Sequence, residues 1–408
     1  MTDLPTHDHA IVIVGAGLAA AHCADSLRSE GFGGRITIVG DEHHAPYERP
    51  ALSKSYLQGE SSADALLVHE QSWYETNDIE LRTGTSVEGI DRAAKTLHLD
   101  VSTESIPYDI LVVATGSRPR RLLIPGADSA WTLRYIEDSD GLRQAFTESA
   151  NVVVIGAGWI GLEAAAAARA AGLTVTVVEQ ASLPLASVLG EELGRYFLEL
   201  HRNHGVTMRM SSAVHEIISA DGRVQGVRVD DEVVPADLVV MGVGAAPDVR
   251  LADESGLSTA NGIVVDERFR TSDPAIYAIG DVATAHNTAV GTTLRVEHWD
   301  NAVRQGDALG KILMGADVEY NWSPYFFSDQ FDLGMEYVGR AGTDDESIVR
   351  GDLTSGEFIA FWLAGTRVTA AMNVNIWDVS DTLRTLIGRD VDPSRLRDLS
   401  VPLSEVIA

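Results

Sequence analysis

The stretch Asn151-Val-Val-Val-Ile-Gly-Ala-Gly-Trp-Ile-Gly-Leu-Glu163, with glycines at 156, 158 and 161, decides the fold. Its apolar, largely β-branched run reads as a buried parallel strand. The glycines let the backbone turn tightly onto the N-terminus of a helix, where N–H groups and the helix dipole favour a pyrophosphate. The same pattern stands near the start of the chain as Ile11-Val-Ile-Val-Gly-Ala-Gly-Leu-Ala-Ala20. One dinucleotide does not need two such turns, so the pair predicts two nucleotide-binding units.

Working outward from the second turn, residues 162–171 read as an alanine-rich helix ended by Gly172, and 174–178 as a strand terminating at Glu179. A carboxylate at that place accepts from both ribose hydroxyls and repels a 2′-phosphate, which predicts NADH rather than NADPH. No arginine follows within ten residues to reverse this. After the first turn come a helix over 19–30, glycines at 31, 33 and 34, and a strand over 35–39. Asp41 is the first candidate there for the ribose contact and Glu42 the second, an acid in a surface turn being the alternative.

Residues 45–57 form a loop stiffened by Pro46 and Pro50, with Ser53 read as the cap of a short helix. Its Arg49 and Lys54 are ordinary solvated charges unless an anionic cofactor lies near. Strands are expected at 80–82, 86–90, 95–99 and from 108 to an end at Thr115-Gly116, and helices at 138–148 and 190–204. In the latter, His201 and His204 stand one turn apart. Without an acidic or cysteine partner they read as exposed residues rather than metal ligands. A strand ending at Gly280-Asp281, ahead of an expected helix, places Asp281 for a ribityl hydroxyl or for helix capping. Trp299 begins a helix over 297–313, and strands from 322 onward suggest an antiparallel domain with a tail of helix and loop.

Composition narrows the classes. The 408 residues are 45% hydrophobic and 22% charged, with net charge −29, a field that repels phosphate backbones and argues against nucleic acid. Residues 1–9 read as a loose polar tail without the features of a secretory signal. The longest apolar run, 11–24, is shorter than the ~18 residues a membrane span needs. A cytoplasmic protein without membrane attachment is therefore expected. Cys23 is the one cysteine, expected within the core, so no intrachain disulfide can form.

Six motifs in order, Gly15-x-Gly17-x-x-Ala20, Arg49-Pro-x-Leu-Ser-Lys54, Ala114-Thr-Gly116, the 156–163 unit, 271–281 and Ser328-Asp-Gln330, together resemble the FAD-dependent, NADH-specific ferredoxin reductases of bacterial cytochrome P450 and Rieske-type oxygenase systems. The resemblance covers essentially the whole chain. It implies an α/β fold with two Rossmann-like dinucleotide-binding domains, glutathione-reductase-like, plus a C-terminal α+β interface domain. The expected boundaries are 1–112 and 247–321 for FAD, 113–246 for NADH and 322–408 for the interface domain. It carries FAD contacts onto Gly15, Gly17, Ala19, Asp41, Arg49, Lys54, Val87, Arg134, Gly280, Asp281 and Trp299. NADH contacts fall on Gly156, Gly158, Ile160, Gly161, Glu163, Glu179 and Gly244.

The resemblance further implies hydride transfer from NADH to flavin N5, then single electrons to a [2Fe–2S] ferredoxin, in a monomer or weak dimer. Lys54 and Glu163 are the expected catalytic residues, as an ion pair bridging the two nucleotide domains. Two departures stand out: Phe327 replaces a common tryptophan, and Leu185-Ala-Ser-Val188 replaces a segment that usually holds an arginine. Because ferredoxins are themselves acidic, a local basic patch from Arg295, Arg304, Lys311 and Arg340 is expected, or else apolar docking. The rival readings are an NADH oxidase or peroxidase, a monodehydroascorbate-type reductase, and a binding flavoprotein resembling apoptosis-inducing factor. Cys23 lies too early in the chain for the peroxidase cysteine.

Overall fold

The computed structural model describes residues 8–100 and 104–407, so most of the expected N-terminal tail lies outside the described residues. The chain folds into two compact units, each assembled from separated segments.

The first unit holds the residues up to Arg49 with Ala63–Arg118 and Ala245–Pro324. Its sheet runs in the order Ile276–Ala278, Ile110–Val113, Ala10–Val14, Arg35–Val39, Ile79–Arg82, all parallel. The central strands Ala10–Val14 and Ile110–Val113 are buried along nearly their whole length and read as continuous apolar runs, whereas the edge strand Ile79–Arg82 alternates. The helix Leu18–Ser29 packs on the helix Trp299–Leu313 through small residues: a Cβ at Gly306 would lie 2.6 Å from the Ala19 carbonyl oxygen. Cys23 is fully buried in this seam, as expected, and burial pushes its thiol up to about 12.

Beyond Gly280–Val282, a short 3₁₀ turn, the expected helix is replaced by the strand Ala283–Asn287. Its alternating burial and its antiparallel pairing with Thr292–Leu294 explain the change, because that pattern has the period of a strand.

The second unit comprises Pro50–Ser62, Pro119–Gly244 and the chain from Tyr325 onward. Its parallel sheet runs Thr207–Arg209, Thr174–Val178, Asn151–Ile155, Leu238–Met241. The opening stretch of the sequence is thus a central strand followed by the helix Trp159–Ala170, whose run of five alanines is wholly buried. The helix Ala186–Asn203 is broken at Gly190, where φ is 80°. A five-stranded antiparallel sheet, Tyr325–Gln330, Leu333–Gly339, Arg367–Val374, Glu357–Ala364, Glu346–Asp352, closes the unit.

One face of that sheet shares a core with the preceding helices. Trp159 meets Phe326 edge-on at 5.1 Å, Tyr196 meets Phe358 at 5.0 Å, and Trp362 Nε1 donates to the Leu189 carbonyl at 3.3 Å. Residues 50–62 join the same core through Leu57, and Ser139 Oγ donates to the Leu52 carbonyl at 2.9 Å.

The opposite face is covered by the C-terminal helices Ser380–Leu386 and Pro393–Arg397, with Leu383, Leu386 and Leu396 buried. Arg350, 8% exposed, fastens the tail by donating to the carbonyls of Leu396, Asp398, Leu399 and Val401 at 2.7 to 3.4 Å. Arg350→Ala is expected to cost about 2–4 kcal/mol, because four carbonyls lose a charged donor at once. Chemical denaturation and proteolysis after residue 397 measure this; unchanged resistance of the tail would contradict it.

Candidate active site

Each unit presents one glycine turn. At Gly156 φ is +100°, and a Cβ there would lie 2.4 Å from the Gly242 carbonyl oxygen. At Gly15 φ is +105°, and a Cβ would lie 2.2 Å from that of Ala114. Only glycine satisfies both the dihedral and the space. Gly161 brings helix and turn together, its α-hydrogen directed at the Gly156 oxygen, which a Cβ would approach to 2.2 Å. Gly17 and Gly158 differ from these, since a Cβ at either would meet nothing within 4 Å. They are the N-caps of Leu18–Ser29 and Trp159–Ala170, and neither helix has a side-chain cap. Open space at an uncapped helix N-terminus fits a dinucleotide pyrophosphate in each unit.

Around the second turn, Glu179 ends its strand and accepts from the Ala157 N–H and the Ala181 N–H, both at 2.8 Å. Its carboxylate therefore stiffens the glycine turn. Ile160 is 45% exposed on the first turn of the helix, and Gly244, with φ +94°, is exposed beyond the neighbouring strand.

Around the first turn, Asp41 is half-exposed and pairs with Arg118 at 3.4 Å. Glu42 instead accepts from Arg49 and the Tyr47 hydroxyl, so Arg49 is held by an acid of the same loop. Val87 is buried at the start of its strand. Asp281 accepts from Ser117 Oγ at 3.3 Å and caps no helix, while Gly280 N–H donates to Gln305 at 2.8 Å. Trp299 begins its helix with Nε1 buried and without a partner, a donor suited to a bound cofactor. In the second unit, the Arg134 N–H donates to Asp138 at 2.8 Å.

Lys54 and Glu163 do meet. Lys54 Nζ lies 2.8 Å from Glu163 Oε2, with the side chains 14% and 3% exposed. Both residues fall within the second unit, because residues 50–62 leave the first unit and pack in the second. Ser53 is not a helix cap, since its hydroxyl donates to Glu163 Oε2. Ser328 Oγ donates to the other oxygen at 2.6 Å, and Lys54 Nζ stands 5.5 Å over the Phe327 ring. A carboxylate this deeply buried is tolerable because a cation and two hydroxyls satisfy it. Ser53 and Ser328 stand in the motifs 49–54 and 328–330, yet nothing local gives their bonds to Glu163, because serine in a loop and serine in a strand each have commoner explanations.

His201 also differs from expectation. It is fully buried, not exposed, with Nε2 2.9 Å from Gln330 Oε1, whereas His204 stacks on Phe331 at 4.0 Å and pairs with Asp332 at 3.3 Å. Among the described residues no group of three or more metal-ligating side chains occurs. Burial lowers His201 from 6.5 to about 4. The unfolded chain therefore binds this proton first as pH falls. Stability is full above about 6.5 and drops through the window to about 4, by about 3 kcal/mol at most. Urea midpoints measured across that range check it, and His201→Gln should flatten the slope.

The expected basic patch is reduced by pairing: Arg295 meets Glu297, and Arg304 meets Asp300 at 2.9 Å. Lys311 and Arg340 are exposed. Among the described residues no helix is long and apolar enough to cross a membrane.

Two uncapped glycine turns on parallel sheets, one per unit, define a scaffold for an oxidoreductase that handles two dinucleotides. The chain belongs to the pyridine nucleotide-disulphide oxidoreductase family, matched over residues 9–306, and residues 325–407 match the reductase C-terminal family. It is 42% identical to rhodocoxin reductase of Rhodococcus erythropolis, over 90% of this chain and 86% of that protein. It is 39% identical to the ferredoxin–NAD(+) reductase component of the anthranilate 1,2-dioxygenase system of Burkholderia cepacia, over 96% and 98%. Among solved structures, the covalent putidaredoxin reductase–putidaredoxin complex superposes with a TM-score of 0.94 at 36% identity, covering 98% of both chains. With Cys23 as its one cysteine, this chain has no internal redox disulfide.

Proposed function

We propose that this protein is an NADH-dependent ferredoxin reductase of an oxygenase system, carrying FAD. The observation that carries the reading is the pair of open, uncapped glycine turns, in a chain whose lone buried cysteine rules out disulfide relay. When bound, FAD supplies the exchange between a two-electron hydride donor and a one-electron acceptor.

In this reading Gly15, Gly17 and Ala19 form the FAD pyrophosphate cradle, with Asp41, Arg49, Lys54, Val87, Arg134, Gly280, Asp281 and Trp299 as further contacts. Gly156, Gly158, Ile160, Gly161, Glu163, Glu179 and Gly244 hold NADH, Glu179 excluding a 2′-phosphate. Lys54 supplies fixed positive charge for the flavin, and Glu163 holds it. The acceptor is a [2Fe–2S] ferredoxin that docks transiently, and the enzyme works as a cytoplasmic monomer or weak dimer. The domain boundaries at 112/113, 246/247 and 321/322 belong to the same proposal.

The FAD-loaded enzyme is expected to reduce cytochrome c with NADH only when a [2Fe–2S] ferredoxin is present, and to prefer NADH over NADPH by at least about tenfold in kcat/KM. Oxygen or peroxide consumption of equal speed without ferredoxin would overturn the reading in favour of an oxidase or peroxidase.

A further inference from the structure

Glu163 terminates a longer polar chain inside the second unit. Ser328 Oγ donates to Glu163 Oε1 at 2.6 Å; Gln330 Nε2 lies 3.1 Å from Ser328 Oγ; His201 Nε2 lies 2.9 Å from Gln330 Oε1. Ser328, Gln330 and His201 are each at most 1% exposed, so no water competes for these groups.

The direction of every bond in this chain follows from its end. A carboxylate can only accept, so the single Ser328 hydroxyl proton goes to Glu163. Ser328 Oγ is then left as an acceptor, which requires the amide nitrogen of Gln330 to face it. The Gln330 carbonyl oxygen therefore faces the imidazole, and His201 must carry its proton on Nε2. Its Nδ1 is buried without a partner, so a second proton would have no acceptor, and the ring is held as the neutral Nε2–H tautomer. All donors point one way, and each bond polarises the next toward the carboxylate. The other oxygen, Oε2, is left for Ser53 and for Lys54 at 2.8 Å.

We propose that His201, Gln330 and Ser328 form a one-way hydrogen-bond relay that orients Glu163 and, through it, fixes the Lys54 ammonium for hydride transfer; they are positioning residues that touch neither cofactor nor substrate. This rests on the role proposed above for Lys54. It ties the C-terminal sheet, which contributes Ser328 and Gln330, to the lysine in residues 50–62.

The test uses the FAD-loaded protein and two independent measurements. In stopped-flow reduction by NADH, Ser328→Ala and His201→Leu are expected to slow the limiting rate about tenfold with the half-saturating NADH concentration unchanged, whereas His201→Gln, which keeps an N–H donor, restores it to within about threefold. In ¹⁵N-histidine spectra, His201, assigned among the 12 histidines by its loss in His201→Gln, is expected as the Nε2–H tautomer in the unsubstituted protein. Wild-type limiting rates in Ser328→Ala, or an Nδ1–H tautomer at His201, would overturn the relay. If His201→Leu does not fold, Ser328→Ala and the spectrum of the unsubstituted protein still decide. Failure of the ferredoxin reading is distinguishable, because it would appear in the unsubstituted enzyme as absent electron transfer to ferredoxin.

Discussion

Lys54→Met is expected to slow reduction of the flavin by NADH about 100-fold and to cost about 3–5 kcal/mol of stability. The two effects have one cause. Glu163 is 3% exposed and its cation is Lys54, so methionine leaves a buried carboxylate facing only the hydroxyls of Ser53 and Ser328. Two hydroxyls do not offset the desolvation of a full charge. On the kinetic side, a fixed ammonium in a dry setting costs no reorganisation as charge develops, and removing such a preorganised group typically costs two or three decades in rate. Stopped-flow reduction, the flavin midpoint potential and urea denaturation read the three consequences separately. Unchanged rate together with an unchanged potential would remove Lys54 from the mechanism, even if stability fell. The double variant Lys54→Met/Glu163→Leu should recover much of the stability and none of the rate, since an apolar pair relieves the buried charge without replacing the cation.

Gly156→Ala is expected to weaken NADH binding by at least about 100-fold while FAD stays bound. The new methyl would lie 2.4 Å from the Gly242 oxygen on a residue whose φ is +100°. Relief requires the turn to open or the strand Leu238–Met241 to shift, and either movement displaces the N-terminus of Trp159–Ala170 from the pyrophosphate. Gly15 and the FAD cradle lie in the other unit, so flavin content should be retained. NADH titration by fluorescence, with flavin absorbance as the internal reference, measures the contrast. A variant that binds NADH normally would show that the turn tolerates a methyl, against the overlap seen here.

Much of this arrangement was legible in the residues because glycine turns are a local code. Positions 15, 17, 156, 158 and 161 announce tight turns through short-range sterics alone, and Glu179 follows from the length of a strand and a helix. The apolar run at 151–155 likewise announced a buried parallel strand. What could not be read was anything set by packing between distant segments. His201 lies on a helix that reads as amphipathic, and only the C-terminal sheet laid against it turns its ring into a buried group. Ser53 looked like a cap because its neighbours are helical in type, yet its hydroxyl is claimed by a carboxylate 110 positions away. After Asp281 the chain could have continued as either element; a strand formed because Thr292–Leu294 was there to pair with it.

The excursion of residues 50–62 also limits how this protein can be taken apart. A cut that isolates residues 119–244 on apparent domain boundaries leaves behind the lysine and both serines that Glu163 needs. Such a fragment would inherit the nucleotide turn together with an unneutralised acid in its interior. Recombination or engineering that swaps nicotinamide specificity between relatives therefore has a heritable unit larger than the Rossmann segment: the 50–62 excursion has to travel with it. The chain crosses twice to make one ion pair, and modularity at the level of sequence ends there.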